Sequence, residues 1–350
     1  KEFPYTIYRG EALGLRAFMH FDLVRLFAEQ YTLNPAADGI PYATEFSLNT
    51  PEFESLAENY EHILADLHEA ERLLDNENEY ENTGNYMLDR QIHFNKYAVW
   101  ATLARVYLTM GDKVNAAKYA KMVIDDGKYM LKEKTEVQDD LAGVLSKKEC
   151  LFGIYYAGFY DVVYEKLQQT TTRFSMNLRK DYDVIYEKDN SGNDFRVTAY
   201  FTASLGEEKT PRLSKLTNIY QLNDEATPDG LITGINMIRI PEMYYILAEV
   251  LLESDYSAAL GYYNAVREHR GLIALEEPKE GEEIATGENL LTIDRINDER
   301  FKEYIGEGQT FFNMKRLNLP IVSYDGATTY AASNNIYVVP VPDAEKENRY

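Results

Sequence analysis

The chain of 350 residues is short of cysteine, tryptophan, histidine and positive charge. Its single cysteine, Cys150, excludes an intrachain disulfide and a cysteine metal cluster. Cys150 opens the run Cys-Leu-Phe-Gly-Ile-Tyr-Tyr, which reads as a buried strand, so the thiol is expected to be an inert core group. The five histidines, His20, His62, His68, His93 and His269, form neither an H-E-x-x-H nor an H-x-H pair. Glu187-x-Asp189-x-Ser191-Gly192 begins like a calcium loop but places Thr198 where the closing acid belongs. No metal and no cofactor is expected. There is no G-x-S-x-G elbow and no glycine-rich phosphate loop. No apolar run is long enough to span a bilayer, and no signal peptide opens the chain. With 36 Lys and Arg against 58 Asp and Glu, the net charge is −22. That argues against nucleic acid and against anionic membrane surfaces, since both need a basic face.

What is plentiful is tyrosine, 29 residues beside 15 Phe and a single Trp. Tyrosine at that density suits a surface that is both apolar and hydrogen-bonding, although many of these rings will edge a core. Helical periodicity dominates much of the rest. A first helix is expected from about Arg9 to Gln30, with Ala12, Leu15, Met19, Leu23, Leu26 and Phe27 on one face. Leu13, Ala17, Phe18, Phe21 and Val24 cover most of the remainder, which predicts burial nearly all round and internal partners for Arg16, His20, Asp22 and Arg25. A second helix is expected from Pro51, a suitable first helical residue, along the stripe Phe53, Leu56, Tyr60, Ile63, Leu67, Ala70 and Leu74.

A repeat signature follows. Trp100-x-x-Leu103-Ala104-x-x-Tyr107, a Gly111-Asp112 turn, and Ala116-x-x-x-Ala120-x-x-Val123 match the two helices of a tetratricopeptide repeat, which makes Trp100 a packing residue. A looser copy runs from Tyr244 through Leu247-Ala248 to Ala259, Tyr263 and Val266, and a fourth pair is expected at Leu291 to Tyr304 and Gln309 to Leu319. From Tyr129 to Ile238 helical stripes are few. Cys150 to Tyr156 and Phe195 to Phe201 read as strands, Asp189 to Asp194 as a turn, and Asn335 to Val341 as extended. The fold class is therefore mainly α: four tetratricopeptide-like helix pairs as scaffold (1–128 and 239–320) with a loop-rich, short-strand region (129–238 and 321–350), in one domain spanning 1–350. A long non-helical insertion in a helical scaffold is where function is expected.

Acid pairs are the alternative place to look. Glu299 and Glu303 lie one helical turn apart beside Arg300, and Glu242 and Glu249 share a face with Arg239 upstream. Such pairs can hydrolyse glycosides, but ion pairs locking helices together are the commoner use. In the insertion, Tyr155, Tyr156, Phe159, Tyr160 and Tyr164 cluster next to Arg173, Phe174 and Tyr182. Sugars present C–H faces and hydroxyl edges, so aromatic rings beside Arg suit them. The expected binding residues are Tyr155, Tyr160, Tyr164, Arg173 and Tyr182, with Tyr42 from the loop after the first helix; none is expected to be catalytic.

These segments resemble the SusD/RagB family of Bacteroidetes outer-membrane nutrient-binding lipoproteins. The resemblance rests on Glu11-Ala12-Leu13-x-Leu15-Arg16-Ala17 with its continuation through Phe27, Leu151-Phe152-x-Ile154-Tyr155, and Arg239-x-x-Glu242-Met243-Tyr244-x-x-x-Ala248-Glu249. It continues with Glu299-Arg300-x-x-Glu303, Glu307-Gly308, Lys315-Arg316 and Pro340-Val341-Pro342-x-x-Glu345-x-x-Asn348, in the family's order across nearly the whole chain. Asn313 stands where the family usually has Asp, and Pro241 where a small or apolar residue is usual. The resemblance implies a non-enzymatic surface lipoprotein that captures oligosaccharides, or peptides in some members, for a SusC-like TonB-dependent transporter. It implies membrane contact only through an N-terminal lipid carried upstream of this chain, which opens almost directly in a helix. A peptide- or protein-gripping repeat scaffold and an acid-pair hydrolase are the competing readings.

Overall fold

The structure is a computed structural model and describes residues 5–47, 51–80, 84–133, 135–136, 144–156, 158, 185–186, 194–202, 212–213, 215–216, 231–277, 290–323 and 326–347. It is mainly helical, and the chain divides into two units: residues 1–88, 94–119 and 309–350, and residues 89–93 and 120–308.

In the first unit α1 (Tyr5–Phe27) packs along α2 (Leu56–Leu74). The packed face of α1 carries Gly10, Gly14, Ala17, Phe21 and Val24. At Gly14 a Cβ would stand 2.4 Å from a Phe94 ring carbon, so only glycine lets that ring seat. Burial all round, expected from composition, is not what forms: Met19 and Leu23 on the outer face are exposed. The glycine and alanine positions draw neighbours to one side, and the larger residues are left on the other. The charged residues do find internal partners. Arg16 grips Asp66 with Nε and Nη2, each at 2.6 Å, and Arg25 pairs with Asp22.

α2 starts at Leu56 rather than Pro51, because Ser55 and Glu58 form a reciprocal cap: the Glu58 N–H donates to Ser55 Oγ at 3.3 Å and the Ser55 N–H to Glu58 Oε2 at 2.8 Å. α3 (Lys96–Met110) is capped by Asn95, whose Oδ1 accepts from the Tyr97 and Ala98 N–H groups, and ends at Gly111 in the left-handed region, φ 80°. Trp100 is half-buried, and its Nε1 donates to Glu71 at 3.1 Å. The unit is completed by α9 (Gln309–Arg316), the β5–β6 hairpin (Ile321–Val322, Thr329–Tyr330), α10 (Asn334–Tyr337) and α11 (Asp343–Glu347). The tail expected to be extended from Asn335 therefore begins as a helical turn. Lys315 of α9 donates from Nζ to the oxygens of Arg25 and Ala28, both at 2.6 Å, and so caps the C-terminus of α1.

The second unit contains β1 (Cys150–Tyr155), α5 (Phe195–Tyr200), β2 (Phe201–Thr202), β3 (Arg212–Leu213), β4 (Gly234–Arg239), α6 (Pro241–Leu251), α7 (Tyr256–His269) and α8 (Ile293–Glu303); α4 spans Lys113–Asp126. The expected strand at Phe195 is a helix up to Tyr200. Asp194 decides this: its Oδ1 accepts from the Arg196 N–H at 3.0 Å and caps α5. Only Phe201 and Thr202 continue as strand, pairing with β3. β1 and β4 form an antiparallel ribbon, with Cys150 opposite Arg239 and Tyr155 opposite Gly234, and two irregularities between Cys150 and Gly153. Cys150 is fully buried, and burial pushes its thiol pKa up, as expected for an inert thiol.

Candidate functional site

The root of the β1–β4 ribbon sits in a buried network of charge. Glu303 Oε1 accepts from Arg239 Nη1 at 2.6 Å and from Arg270 Nη2 at 2.9 Å; its Oε2 accepts from Arg270 Nε at 3.0 Å and Arg196 Nη1 at 3.3 Å. Arg239 Nε also donates to Glu307 at 2.9 Å, and Lys215 Nζ lies 2.7 Å from the same carboxylate. Glu299 is held by Arg196 Nη2 at 2.8 Å, Arg267 Nη1 at 3.1 Å and Lys302 Nζ at 2.8 Å. Arg270 Nη2 reaches Glu149, immediately before β1, at 2.9 Å. All of these side chains are buried. Burial alone raises the Glu299 pKa, but the charges of Arg196, Lys302 and Arg267 outweigh it and hold it at about 2. Glu303 is likewise held well below the usual carboxylate range, against its burial, by Arg270 and Arg239.

This settles what the acid pair of α8 does. Buried and each gripped by several cations, Glu299 and Glu303 are neither within reach of a polysaccharide nor able to supply a proton near neutral pH. They lock α5, α7 and α8 to the ribbon's root, as the ion-pair reading expects. Glu249 of α6 pairs with Arg300 of α8, whereas Arg239 turns to Glu303 and Glu307.

The far end of the ribbon is different. Tyr155 and Tyr156 are 56% and 55% exposed, beside the exposed side chain of Ile154. Leu231, three residues before Gly234, adds a further exposed apolar group. Tyr155 lies five positions along the strand from Cys150, about 17 Å at the rise of an extended strand. The crossing that allows this pairing needs Gly234, where a Cβ would lie 2.2 Å from the Ile154 oxygen. The ribbon thus carries two tyrosine rings from a rigid, charged root to solvent, a geometry suited to stacking on a ligand's apolar face.

Tyr42 has another environment. It is 5% exposed and its hydroxyl donates to Asp66 at 2.7 Å; His20 stacks on the ring at a centroid distance of 4.1 Å and His62 at 5.1 Å. Burial and Asp66 push its pKa up. A sugar ring stacking there would have to displace one of the two imidazoles. Tyr160, Tyr164, Arg173 and Tyr182, like Glu187 to Ser191, lie outside the described residues. Among the described residues no group of His, Cys, Asp and Glu is arranged to hold a metal ion, and no helix is long and apolar enough to cross a membrane. The signal the sequence reading left unused is Tyr156, which belonged to the tyrosine cluster and stands as exposed as its neighbour.

Two family comparisons cover the chain: residues 105–348 match the SusD family, and residues 2–108 match a family described as starch-binding and associating with the outer membrane. No curated protein matches significantly. Solved structures do. A SusD superfamily protein from Bacteroides thetaiotaomicron superposes with a TM-score of 0.75 at 26% identity, over 97% of this chain and 75% of that one. A SusD-like carbohydrate binding protein from Bacteroides vulgatus gives 0.73 at 16% identity over 98% and 76%, and a SusD superfamily protein from Bacteroides fragilis gives 0.69 at 22% over 98% and 75%.

Proposed function

Because this chain belongs to the SusD/RagB family, a family of binding proteins, we propose that it is a non-catalytic, surface-exposed outer-membrane lipoprotein that captures an oligosaccharide and delivers it to a SusC-like TonB-dependent transporter. The observation that carries the glycan reading is the pair of exposed tyrosines, Tyr155 and Tyr156, held at the end of the β1–β4 ribbon. Stacking on tyrosine suits sugars, and the only tryptophan, Trp100, is half-buried and bonded to Glu71. The carbohydrate-binding relative from Bacteroides vulgatus and the starch-binding description of the family matching residues 2–108 lend support. Tyr160, Tyr164, Arg173 and Tyr182, outside the described residues, are proposed as further binding residues on the sequence cluster alone. The burial of Glu299 and Glu303 argues against hydrolysis by that acid pair.

A polysaccharide panel in affinity gels, run beside an assay for new reducing ends, tests this reading. Retardation by at least one glycan with no turnover is expected. Turnover, or binding to peptides with no glycan retained, would sink it. Recovery of a TonB-dependent transporter with the protein from outer membranes tests the delivery role, and recovery only of soluble cytoplasmic partners would remove it.

A further inference from the structure

His20 of α1 spends both ring nitrogens on backbone. Nδ1 lies 2.8 Å from the Arg16 oxygen, one turn back on the same helix, and the Ala43 N–H donates to Nε2 at 3.1 Å. A carbonyl oxygen only accepts and a backbone N–H only donates, so Nδ1 must carry the proton and Nε2 the free lone pair. Only a neutral imidazole can make both bonds. His62, His68 and His269 are placed otherwise. Each faces a carboxylate, Glu54 at 3.5 Å, Glu71 at 3.3 Å and Glu133 at 3.8 Å, which favours a second proton on the ring.

The Ala43 bond stands at a junction in the loop after α1. Before it the chain is firmly held: the Gly39 N–H donates to the Glu54 oxygen at 2.8 Å, and Asn59 accepts from the Ile40 N–H at 2.6 Å and donates to the Ile40 oxygen at 2.8 Å. Tyr42 is buried, with its hydroxyl on Asp66 and its ring between His20 and His62. From Ala43 to Phe46 the chain is exposed, and it is tied to α1 by the His20 bond and by Arg16 Nη1, which donates to the Thr44 oxygen at 3.0 Å. The charged and titratable groups around His20 come from each neighbouring element. α1 gives Arg16, a cation that opposes a further positive charge. α2 gives Asp66, whose oxygens already accept from Arg16 and Tyr42, and His62, on the far face of the Tyr42 ring beside Glu54. The loop gives Tyr42 itself and Glu45, which is exposed. A charged His20 keeps its stack, because a tyrosine face attracts a cation, so Tyr42 stays in place.

We propose that His20 is an acid-sensitive latch for the segment from Ala43 to Phe46. A proton added at Nε2 turns an N–H toward the Ala43 N–H, and the bond between them is lost. The remaining tie, Arg16 to Thr44, lies in solvent, so the segment swings away about Tyr42 and carries the exposed Phe46 ring with it. The change is local: the Tyr42 stack, the Asn59 bonds to Ile40 and the packing of α1 on α2 persist. It involves none of the ribbon's tyrosines and stands apart from the glycan reading.

Amide hydrogen exchange at Ala43, followed by NMR in the intact protein and corrected for the intrinsic rate at each pH, reads the latch. Between about pH 7.5 and about pH 5, where histidine changes charge, protection at Ala43 is expected to fall roughly tenfold, the worth of one hydrogen bond. The Ile40 amide and those of α1 and α2 should keep theirs. His20→Gln offers an oxygen near the position of Nε2 that accepts without titrating, and is expected to hold Ala43 protection level across the range. His20→Phe keeps a ring over Tyr42 without an acceptor, and its protection should be level and low. His62→Phe should leave the fall intact. Level protection in the unsubstituted protein overturns the proposal, as does an equal fall at Ile40 and along α2, which would be general loosening. A fall that persists in His20→Gln or vanishes in His62→Phe assigns it to another group and overturns it too, and so do nitrogen-15 shifts that place the proton on Nε2 at about pH 7.5.

Discussion

Arg239, the last residue of β4, holds Glu303, the last residue of α8, by side chain and backbone at once: Nη1 lies 2.6 Å from Oε1, and Nη2 donates to the main-chain oxygen at 2.8 Å. Glu303→Gln keeps the shape but leaves Arg196, Arg239 and Arg270 facing a neutral group inside the protein. A loss of about 3–5 kcal/mol of stability is expected, read from urea unfolding. Glycan retention by the fraction still folded should be unchanged. A variant that keeps its stability and loses retention would place Glu303 in the binding site instead.

Tyr155→Ala and Tyr156→Ala act at the opposite end of the ribbon. Both rings are exposed, so unfolding free energy should move by no more than about 0.5 kcal/mol. Retention in a glycan affinity gel should fall roughly tenfold or more for the double variant, because each stacked ring is worth on the order of 1 kcal/mol. Retention equal to the unsubstituted protein would move the site away from the ribbon.

Gly234→Ala tests whether the ribbon's geometry matters. The added Cβ would meet the Ile154 oxygen at 2.2 Å, so the strands must part or shift. A cost of about 1–3 kcal/mol is expected, with weaker glycan retention even where the protein remains folded. Unchanged protection of the Tyr155 amide in hydrogen exchange would show that the strands tolerate the methyl.

Acid should dismantle the network within a narrow window. Glu299 titrates at about 2 when folded and near 4.3 when unfolded, so its contribution is complete above the unfolded value and is lost as pH falls through the folded one. Stability measured by denaturant titration should fall steeply from about pH 4.5 toward 2. Glu299→Gln should be less stable at neutral pH and flatter across that range; parallel curves would contradict the assignment.

Lys315 gives a second dependence of the same sign, in alkali. Burial, then Arg25, lowers it to about 8, against about 10.4 in an unfolded chain. Between those values the folded state holds fewer protons, so stability should rise as pH increases from about 8. Neutral lysine still has two N–H groups for its two carbonyl partners. The measurement is best stopped near pH 9.5, before unfolded tyrosines begin to ionise at about 10. Burial also lowers Lys132 and Lys215 to about 8, so Lys315→Met should show a smaller rise, and an undiminished rise in that variant would remove Lys315 from it.

Helix existence and the ion-pair role of Glu299 and Glu303 were legible from spacing, because both depend on residues three and four apart. Helix ends were legible only where a cap was recognised. Pro51 points to a start of α2 that is too early because the Ser55–Glu58 cap is a pair, and the apolar run Phe195 to Tyr200 resembles a strand unless Asp194 is recognised as a helix cap. The exposure of Met19 and Leu23 was not readable, since apolar residues on every side of α1 carry no mark of which side meets a neighbour. The sandwich of Tyr42 between His20 and His62 joins three segments with no local pattern, whereas Tyr155 and Tyr156 were visible as part of an aromatic cluster. The partners of Arg239 and Arg270 lie up to 121 residues away and were legible as charges needing partners, but not as one network.

Lys315 has a last consequence, for the order in which the chain can fold. The carbonyls it caps belong to Arg25 and Ala28, 290 and 287 residues earlier. A ribosome supplies the end of α1 long before it supplies the residue that finishes it. Until then those carbonyls must rely on water, and the first unit keeps an open flank while the second is being made. The first unit is thus first to begin and last to close, and its completion reports that the chain has been made through α9.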